Sequence, residues 1–547
     1  MKKAAARIAC LLLAVLMLGG CGSQAVSDTV PTAPESSGAV LEHLEQIHAL
    51  GESPDDLYRT FYEVFVYSFC DSNGDGIGDL RGLTSKLDYL QELGINGIWM
   101  MPIHPSTSYH KYNVGDYYAI DPAYGTLEDF DAFMAECQAR DIHVILDLVV
   151  NHTGDDHPWF TQAVDYLKTL GDGEPDPEVC PYVDYYFFSR EEKPGYRSIA
   201  GTTWYYEGQF DTSMPDLNLG SEALRQEIRD IMAFWFDRGV SGFRLDAAKE
   251  FYSGAVQKNL EVLNWLQTTA LELNPEAYLV AEVWEGFAAI SQYYASGITS
   301  LFDFAYGDSN GKIITTLRGA GTENTVTGYA QYLQRTDEAY LASNPDYIDA
   351  PFLSNHDVGR TAGFLSRDPD KTKLAGAMNL FMSGTAFIYY GEEIGMVSGG
   401  SNDPSKRAPM YWNPEGDNGT TQPPPECTLP QEYPFGSLAE QQGDAYSVYN
   451  YYRRAVAIRQ AIPAISHGRT TAEEALNRGC ISAQRKTWGE ESCIILMNIQ
   501  AQEAQVDLTG YEGWTLAATL TTGEAPVDQG EGTLTMPPWA VAVLIPQ

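Results

Sequence analysis

Short apolar runs alternate with helical patterns over most of the chain, and this alternation is the feature that most constrains its fold. The runs are of the type that suits strands covered on both faces. Between two of them, residues 126–140 carry apolar side chains at the spacing of one helix face. The eight strand candidates are 61–69, 97–102, 143–150, 242–246, 277–284, 301–304, 349–356 and 385–393. Eight strands with helices between them predict an α/β protein built on a (β/α)8 TIM barrel.

Two regions interrupt the alternation. The segment after the third strand candidate is long, aromatic and irregular, and it is predicted to be an insertion domain. Near the C-terminus the chain turns to short apolar segments separated by turn residues, which predicts an all-β sandwich domain. The predicted organisation is a barrel over residues 56–150 and 217–465, an insertion domain over 151–216 and a C-terminal β domain over 466–547.

The first twenty residues resemble a secretion signal. Three basic residues precede an apolar run that is too short to span a bilayer comfortably, and LGGC ends it at Cys21. This pattern is typical of bacterial lipoproteins, in which the cysteine becomes lipid-modified, so residues 1–20 are a predicted signal peptide and 21–55 a tether. An uncleaved anchor and ordinary secretion are the alternatives. The predicted location is extracellular, on the bacterial cell membrane, attached only through lipid at Cys21.

The charge balance excludes one class of partner. The sequence has 34 basic and 74 acidic residues, a formal net charge of −40. Such a surface repels nucleic acid and anionic membrane faces. A neutral ligand carries no such penalty, and 34 tyrosines and 10 tryptophans suit stacking on sugars. The sequence does not predict an oligomeric state.

Cysteines are few, and they show no CxxC spacing, which argues against a zinc site or a redox dithiol. Cys480 and Cys493 flank a predicted hairpin and could face each other across it. Free buried thiols are the alternative to a disulfide at this position.

Charged and polar side chains end four of the predicted strands, where a (β/α)8 barrel places its functional residues. Arg244 and Asp246 lie two residues apart, so on their own they read equally well as a buried ion pair. Four such strand ends are hard to explain by packing, because each buried charge needs compensation. These residues are Asp147, Asn151 and His152, then Arg244 and Asp246, then Glu282, and finally Asn355, His356 and Asp357.

Four motifs carry a resemblance to a known family. DLVVNH (147–152), GFRLDAAKE (242–250), AEVW (281–284) and FLSNHD (352–357) occur in the order and spacing of the alpha-amylase family, glycoside hydrolase family 13. The resemblance covers about residues 56–547. MPDLN (214–218) is similar to an intermediate form of a further motif, found in alpha-amylases that include lipid-anchored bacterial ones.

The resemblance implies a glycosidase that retains the anomeric configuration. Asp246 is implied as nucleophile, Glu282 as acid and base, and Asp357 as a third carboxylate that holds ring hydroxyls. Arg244 would keep Asp246 ionised, and burial would hold Glu282 protonated. The implied substrate-binding residues are Tyr112 as a stacking platform, His152 and His356 as hydrogen-bond donors, Arg244 and Lys249.

The stretch DSNGDGIGDL (71–80) predicts a Ca²⁺ site. Its side-chain oxygens alternate with glycines and could converge on one hard cation with a backbone carbonyl. It resembles an EF-hand loop but has Gly82 where that loop needs glutamate; related amylases and oligo-glucosidases carry this loop as a calcium site. A solvated acidic turn is the alternative, and a second family site at Asn151 is in doubt because Glu250 replaces its histidine. The predicted ligands are Asp71, Asn73, Asp75, the Ile77 carbonyl and Asp79.

The choice of substrate depends on two details, since the family includes many activities. Ala247 follows the implied nucleophile where 1,6-specific members usually carry valine. Asn113 stands where exo-acting glucosidases usually carry an aspartate that holds the chain end. Both favour cleavage of internal α-1,4 bonds in starch and maltooligosaccharides. The alternatives are a cyclomaltodextrinase or neopullulanase, an oligo-α-glucosidase, an isomerase or transglycosylase such as trehalose synthase, and a binding protein without catalysis, against which the intact carboxylates argue.

Overall fold

The computed structural model of the chain describes residue 54, residues 56–417 and residues 419–547. The predicted signal peptide, the Cys21 lipidation site and nearly all of the tether lie outside these residues. Within the described ranges, no helix combines the length and the apolar character needed to cross a membrane.

The strands of the described residues form one parallel sheet and three antiparallel sheets. They are β1 Thr60–Val64, β2 Gly97–Met100, β3 His143–Leu148, β4 Phe188–Ser189, β5 Tyr196–Ser198, β6 Tyr205–Glu207, β7 Gly242–Leu245, β8 Tyr278–Ala281, β9 Ser300–Leu301, β10 Ala386–Tyr389, β11 Arg469–Ala472, β12 Ile481–Trp488, β13 Glu491–Asn498, β14 Ala504–Asp507, β15 Trp514–Leu520, β16 Asp528–Gly530, β17 Thr533–Met536 and β18 Val541–Pro546. The parallel sheet has the order β10-β1-β2-β3-β7-β8-β9.

Residues 349–351 close this sheet into a barrel. The backbone N–H of Asp303 donates to Ala350 O at 3.1 Å, and those of Thr385 and Phe387 donate to Asp349 O and Pro351 O at 2.7 and 2.9 Å. The segment therefore lies between β9 and β10, at the place of the strand predicted over 349–356. It forms only one bridge, Phe302 with Ala350, because Pro351 has no N–H to continue a ladder. The predicted (β/α)8 barrel is confirmed.

The first strand is shorter than predicted. The sequence pattern indicated a strand over 61–69, but β1 ends at Val64 and Val66–Phe69 form a helical turn. Ser68 Oγ donates to Arg407 O at 2.7 Å, and Tyr67 O accepts from the N–H of Gly78 at 2.8 Å. Tertiary contacts thus override the strand preference of this apolar run.

The helices surround the barrel as the alternation predicted. The predicted helix over 126–140 is Leu127–Gln138, and it begins with a capping box between Thr126 and Asp129. The helices are Val66–Phe69, Leu80–Thr84, Leu87–Leu93, Leu127–Gln138, Pro158–Thr169, Glu222–Phe236, Val256–Leu273, Phe287–Tyr294, Lys312–Arg318, Glu323–Ser343, Thr361–Phe364, Pro369–Leu380, Asp403–Lys406, Leu438–Gln442, Val448–Ala461 and Ala464–His467, with a 3-10 helix at Pro181–Asp184.

The segment between β3 and β7 folds back on itself. It contains the helix Pro158–Thr169 and the small sheet β4-β6-β5. An isolated antiparallel bridge pairs His152 with Asp216, and Asn151 O accepts from the N–H of Leu217 at 2.8 Å. These contacts bring the two ends of the segment together at the carboxyl end of β3, beside the strand ends that carry the candidate site.

The C-terminal domain is made of two facing antiparallel sheets, β11-β12-β13-β18-β15 and β14-β17-β16. Alternate side chains of β13 enter two different cores. Ile494 and Leu496 pack between the two sheets, whereas Cys493, Ile495 and Met497 join the core of the barrel. The C-terminal domain is therefore packed directly against the barrel through one face of its larger sheet.

The possible disulfide of this domain is absent. Cys493 lies opposite Lys486 in the β12–β13 ladder, while Cys480 precedes β12. Both cysteines are free thiols. The strand register separates them along the hairpin, so the alternative of free thiols is correct.

Candidate active site

A cleft of about 750 Å³ opens at the carboxyl ends of the barrel strands. It is lined by the three carboxylates that the sequence analysis singled out and by three of the predicted substrate-binding residues. Two further predicted residues, Arg244 and His356, are fully buried beneath it. The lining residues from the prediction are Asp246, Glu282 and Asp357, with Tyr112, His152 and Lys249.

Arg244 is the centre of the charge network under the cleft. Its Nη1 lies 2.6 Å from Asp246 Oδ1 and 2.8 Å from Asp147 Oδ1, and its Nη2 lies 3.1 Å from Glu282 Oε2. Asp147 is fully buried, and burial raises its pKa to about 7 against the pull of Arg244. The ion pair between Arg244 and Asp246 that the sequence indicated is present, but Arg244 also contacts Asp147 and Glu282, and Asp246 and Glu282 both reach the cleft.

Glu282 is held at the end of β8 by Arg244 on β7 and by Ala247, which lies just after that strand. Its Oε2 accepts a hydrogen bond from the backbone N–H of Ala247 at 2.9 Å. Burial raises the pKa of Glu282, and Arg244 opposes that rise. Ala247 has a φ of +48°, a left-handed conformation that is uncommon for any residue but glycine. The backbone turn at Ala247 therefore aims the N–H that fixes Glu282.

Asp357 is bound on both sides by cationic groups. Its Oδ1 lies 2.7 Å from Arg407 Nη2, and its Oδ2 lies 2.9 Å from His356 Nε2. Burial would raise the pKa of Asp357, but His356 and Arg407 together hold it well below its usual range. Arg407 was missed by the sequence analysis. The one available signal was the basic pair 406–407, which follows the last barrel strand in a chain with few basic residues.

Tyr112 and His152 contribute the polar wall of the cleft. Tyr112 donates to Asp147 Oδ2 at 3.0 Å and stacks on the ring of His356 with centroids 5.5 Å apart. His152 Nε2 is buried and has no hydrogen-bond partner. Because it lines the cleft, this nitrogen is free to bond a ligand hydroxyl.

Two exposed aromatic side chains lie in the cleft lining. Phe210 and Trp284 are 48% and 44% exposed, which is unusual for such large apolar groups. Trp284 stacks on Phe304 with centroids 5.2 Å apart and an interplanar angle of 16°. Trp284 belongs to the AEVW motif, from which no role for it was predicted, and no sequence signal marks Phe210.

Of two further residues from the sequence prediction, Lys249 lines the cleft and Asn113 does not. Lys249 lies in the cleft lining, where its Nζ pairs with Glu285 Oε1 at 2.9 Å. Asn113 is buried, and its Nδ2 donates to the carbonyl and the Oγ of Ser213 at 3.0 and 2.8 Å. Asn113 is absent from the cleft lining. The position of Asn113 therefore does not add support to the prediction of internal cleavage.

The predicted calcium loop is organised by its own backbone. Asp71 accepts from the N–H groups of Asn73, Gly74 and Gly76 at 2.9, 2.7 and 2.7 Å. Asn73 and Asp75 each accept through Oδ1 from the N–H two residues further on. These turns direct the side-chain oxygens into the loop. An all-oxygen donor set of this kind suits a hard cation.

Asp79 ends the loop and caps the helix Leu80–Thr84 by accepting from the N–H of Gly82 at 2.7 Å. A Cβ at Gly82 would lie 2.0 Å from Cys70 O, which is the reason that no glutamate can stand there. Within the described ranges, no three His, Cys, Asp or Glu side chains lie close enough together to hold a metal ion. Calcium in this loop therefore stays a prediction.

The fold and the site define a class of enzyme. A (β/α)8 barrel with paired carboxyl groups and an arginine at its strand ends is typical of glycoside hydrolases. Residues 63–468 match the family described as "Alpha amylase, catalytic domain". The chain belongs to the alpha-amylase family, glycoside hydrolase family 13, and is a glycosidase.

Individual relatives differ in activity. Alpha-amylase 3 of Dictyoglomus thermophilum is 38% identical over 469 residues, which cover 85% of this chain and 89% of that protein. The solved structure of Eubacterium rectale Amy13B is 44% identical, with a TM-score of 0.88, over 92% of this chain and 99% of that one. A glucan 1,6-alpha-glucosidase of Streptococcus pneumoniae is 33% identical over 367 residues, 62% of this chain and 65% of that protein.

Proposed function

We propose that this chain is an alpha-amylase that hydrolyses internal α-1,4 bonds of starch and maltooligosaccharides with retention of configuration. The observation that carries the mechanism is that Asp246 and Glu282 contact the same guanidinium at the base of an open cleft. A shared guanidinium keeps the two carboxyl groups close, as retention requires; retaining enzymes separate them by about 5–5.5 Å.

The reaction proceeds in two displacements. In the first, Asp246 attacks the anomeric carbon, the glycosidic C–O bond breaks, and Glu282 gives its proton to the departing oxygen. In the second, Glu282 removes a proton from water, the water oxygen bonds to the anomeric carbon, and the ester to Asp246 breaks. The raised pKa of Glu282 supports the acid role, because it keeps the proton available at higher pH than an exposed carboxyl would.

The sugar at the reacting centre is held by three groups. Asp357, ionised through His356 and Arg407, accepts hydrogen bonds from ring hydroxyls. The unpartnered Nε2 of His152 supplies a further contact. Tyr112 presents its ring as the wall against which the sugar packs.

Internal cleavage is supported by the open shape of the cleft and by its aromatic lining. Phe210 and Trp284 are exposed aromatic surfaces in the cleft lining on which further glucosyl units can stack. Ala247 supports α-1,4 specificity through the resemblance to family members. The named relative "Alpha-amylase 3" supports the same activity, whereas the glucan 1,6-alpha-glucosidase supports a 1,6-specific exo-enzyme as the second candidate.

The product profile separates the two candidates. An endo-acting α-1,4 enzyme lowers the viscosity of soluble starch quickly while reducing sugar rises slowly, and it leaves isomaltose nearly intact. NMR of the first products is expected to show α-anomers, because two displacements retain configuration. Glucose as the sole early product, or isomaltose cleaved faster than maltotriose, would establish the exo-glucosidase instead.

A further inference from the structure

A buried side chain outside the cleft is joined to the site by a continuous chain of hydrogen bonds. Glu63 lies on β1, and its carboxyl group is 2% exposed. Its Oε1 lies 2.6 Å from His356 Nδ1 and accepts from the His356 backbone N–H at 3.3 Å. The opposite ring nitrogen, Nε2, lies 2.9 Å from Asp357 Oδ2 and 2.7 Å from Tyr112 Oη. Glu63 is absent from the cleft lining, so it cannot touch the substrate directly.

The hydrogen-bond partners of the two ring nitrogens of His356 favour one protonation state of the ring. Each ring nitrogen faces a carboxyl group. Burial raises the pKa of Glu63, while His356 and Arg244 oppose that rise and favour its ionised form, and an ionised carboxylate can only accept hydrogen bonds. A neutral ring has one bare nitrogen, which would point its lone pair at Glu63 or at Asp357. The doubly protonated ring donates to both carboxylates. Its single Nε2–H is shared between Asp357 Oδ2 and Tyr112 Oη, and the Tyr112 hydroxyl donates its own proton to Asp147 Oδ2 at 3.0 Å.

Charged and titratable groups from several barrel strands and the segments that follow them surround the His356 ring. Carboxylates contact both ring nitrogens, whereas Arg407 donates its Nε–H to the His356 carbonyl at 3.0 Å. The titratable and charged groups are Glu63 on β1, His110 and Tyr112 after β2, Asp147 on β3, Arg244 on β7, Asp357 on the same segment and Arg407 after β10.

We propose that Glu63 is a positioning residue, which keeps the His356 ring doubly protonated and thereby holds Asp357 and Tyr112 in their orientation toward the sugar. This inference rests on the proposed role of Asp357 at the reacting centre. It assigns a function to Glu63, a buried carboxylate that lies outside the four family motifs.

The electrostatics of His356 support this proposal. Burial by itself lowers the pKa of His356, but Asp357 and Glu63 outweigh it and raise the pKa to about 9. The imidazolium is therefore present below that pH and lost as the pH rises through it. Without the negative charge of Glu63, the effect of burial is opposed less strongly, so the pKa of His356 falls. The imidazolium is then lost at a lower pH.

The direct test is Glu63→Gln. Glutamine keeps the oxygen that accepts from Nδ1–H but removes the negative charge. The titration of His356 is followed by NMR of ¹⁵N-histidine-labelled protein without substrate, with the signal assigned by its loss in His356→Gln. We expect the midpoint to fall by about 1–3 pH units. The pH profile of kcat/KM should show an added loss at the lowered His356 midpoint, beyond the alkaline decline that deprotonation of Glu282 causes in both proteins, while activity at lower pH, where the ring stays protonated, is largely kept.

Glu393→Gln is the matched control. Glu393 is a buried carboxylate beside β1, but it accepts from Tyr62 and Tyr89 hydroxyls and does not contact His356. Its substitution should leave the His356 midpoint and the alkaline decline in place. An unmoved midpoint in Glu63→Gln, or an equal loss of activity at every pH, would overturn the proposal.

The test is independent of bond specificity. The NMR midpoint needs no turnover, and the kinetic profile can be recorded on whichever α-glucoside the wild-type protein cleaves fastest. If the protein proves to be an exo-glucosidase, the α-1,4 endo assignment fails while the Glu63 result still stands or falls by itself. Glu63→Leu, which removes both the charge and the acceptor, should lower kcat at all pH values if it folds.

Discussion

At the scale of single residues, the site is organised around one arginine and three carboxylates. Arg244 contacts Asp147, Asp246 and Glu282, and only the last two reach the cleft. A fully buried arginine with three acidic neighbours keeps its charge at any pH of interest. Arg244 therefore contributes a fixed positive charge beside Asp246 and Glu282, and its own protonation state does not change during the reaction.

Asp246→Asn tests the nucleophile. The amide is nearly the same size, so the fold and the binding of maltooligosaccharides should persist, but it cannot form the covalent ester. We expect kcat to fall by about 10⁴-fold or more, measured as reducing sugar released from starch. Circular dichroism serves as the control for folding. Retention of more than a few per cent of activity would be incompatible with a nucleophilic Asp246.

Ala247 is a second residue whose substitution has a defined outcome. Its φ of +48° disfavours a β-branched side chain, so Ala247→Val should lower the free energy of unfolding by about 1–3 kcal/mol. The added methyl groups would also enter the cleft and raise KM for maltotriose. Ala247→Gly is the control, and chemical denaturation is the measurement. Equal stability of the valine variant would show that the left-handed backbone at this residue relaxes without strain.

At the scale of elements, the sequence predicts the strands and the helices because burial on both faces leaves a distinct apolar pattern. The end of β1 and the single bridge at 349–351 were not predictable, since tertiary hydrogen bonds and Pro351 decide them. The same division holds for the site. Asp246 and Glu282 lie in local motifs, whereas Glu63 and Arg407 reach His356 and Asp357 from about 300 and 50 positions away along the chain.

The loop 71–79 is the element with a testable ligand, and we propose that it binds Ca²⁺. A cation that binds only the folded protein stabilises it by mass action, by about 2.7 kcal/mol at a concentration 100 times its Kd. Chelator should therefore lower the Tm, and Asp75→Ala should remove most of that sensitivity. Asp507→Ala, at an exposed carboxylate of the C-terminal domain, is the control. If chelator leaves the Tm unchanged, elemental analysis decides between a tightly held ion and no ion.

At the scale of the whole molecule, the acidic surface and the N-terminal pattern bear on where the protein acts. We propose that Cys21 carries a lipid and holds the enzyme outside the cytoplasmic membrane, next to polymer too large to import. Cys21→Ala should release the protein from the membrane fraction of a bacterial host without changing its specific activity on soluble starch. Fractionation with immunodetection is the measurement. An alanine variant that stays membrane-bound would contradict lipid attachment at this cysteine.

Alternate side chains of β13 lie in two hydrophobic cores, and this shared packing determines how the two domains unfold. Neither domain can unfold without exposing apolar surface of the other, so the melting of barrel and sandwich must be thermodynamically linked. Differential scanning calorimetry should show one endotherm whose calorimetric and van't Hoff enthalpies agree. Residues 56–468 alone should be prone to aggregation, because removing the sandwich uncovers the barrel surface that Cys493, Ile495 and Met497 contact. The small domain thus acts as an obligatory cover, which contacts the barrel through side chains of β13, β15 and β18.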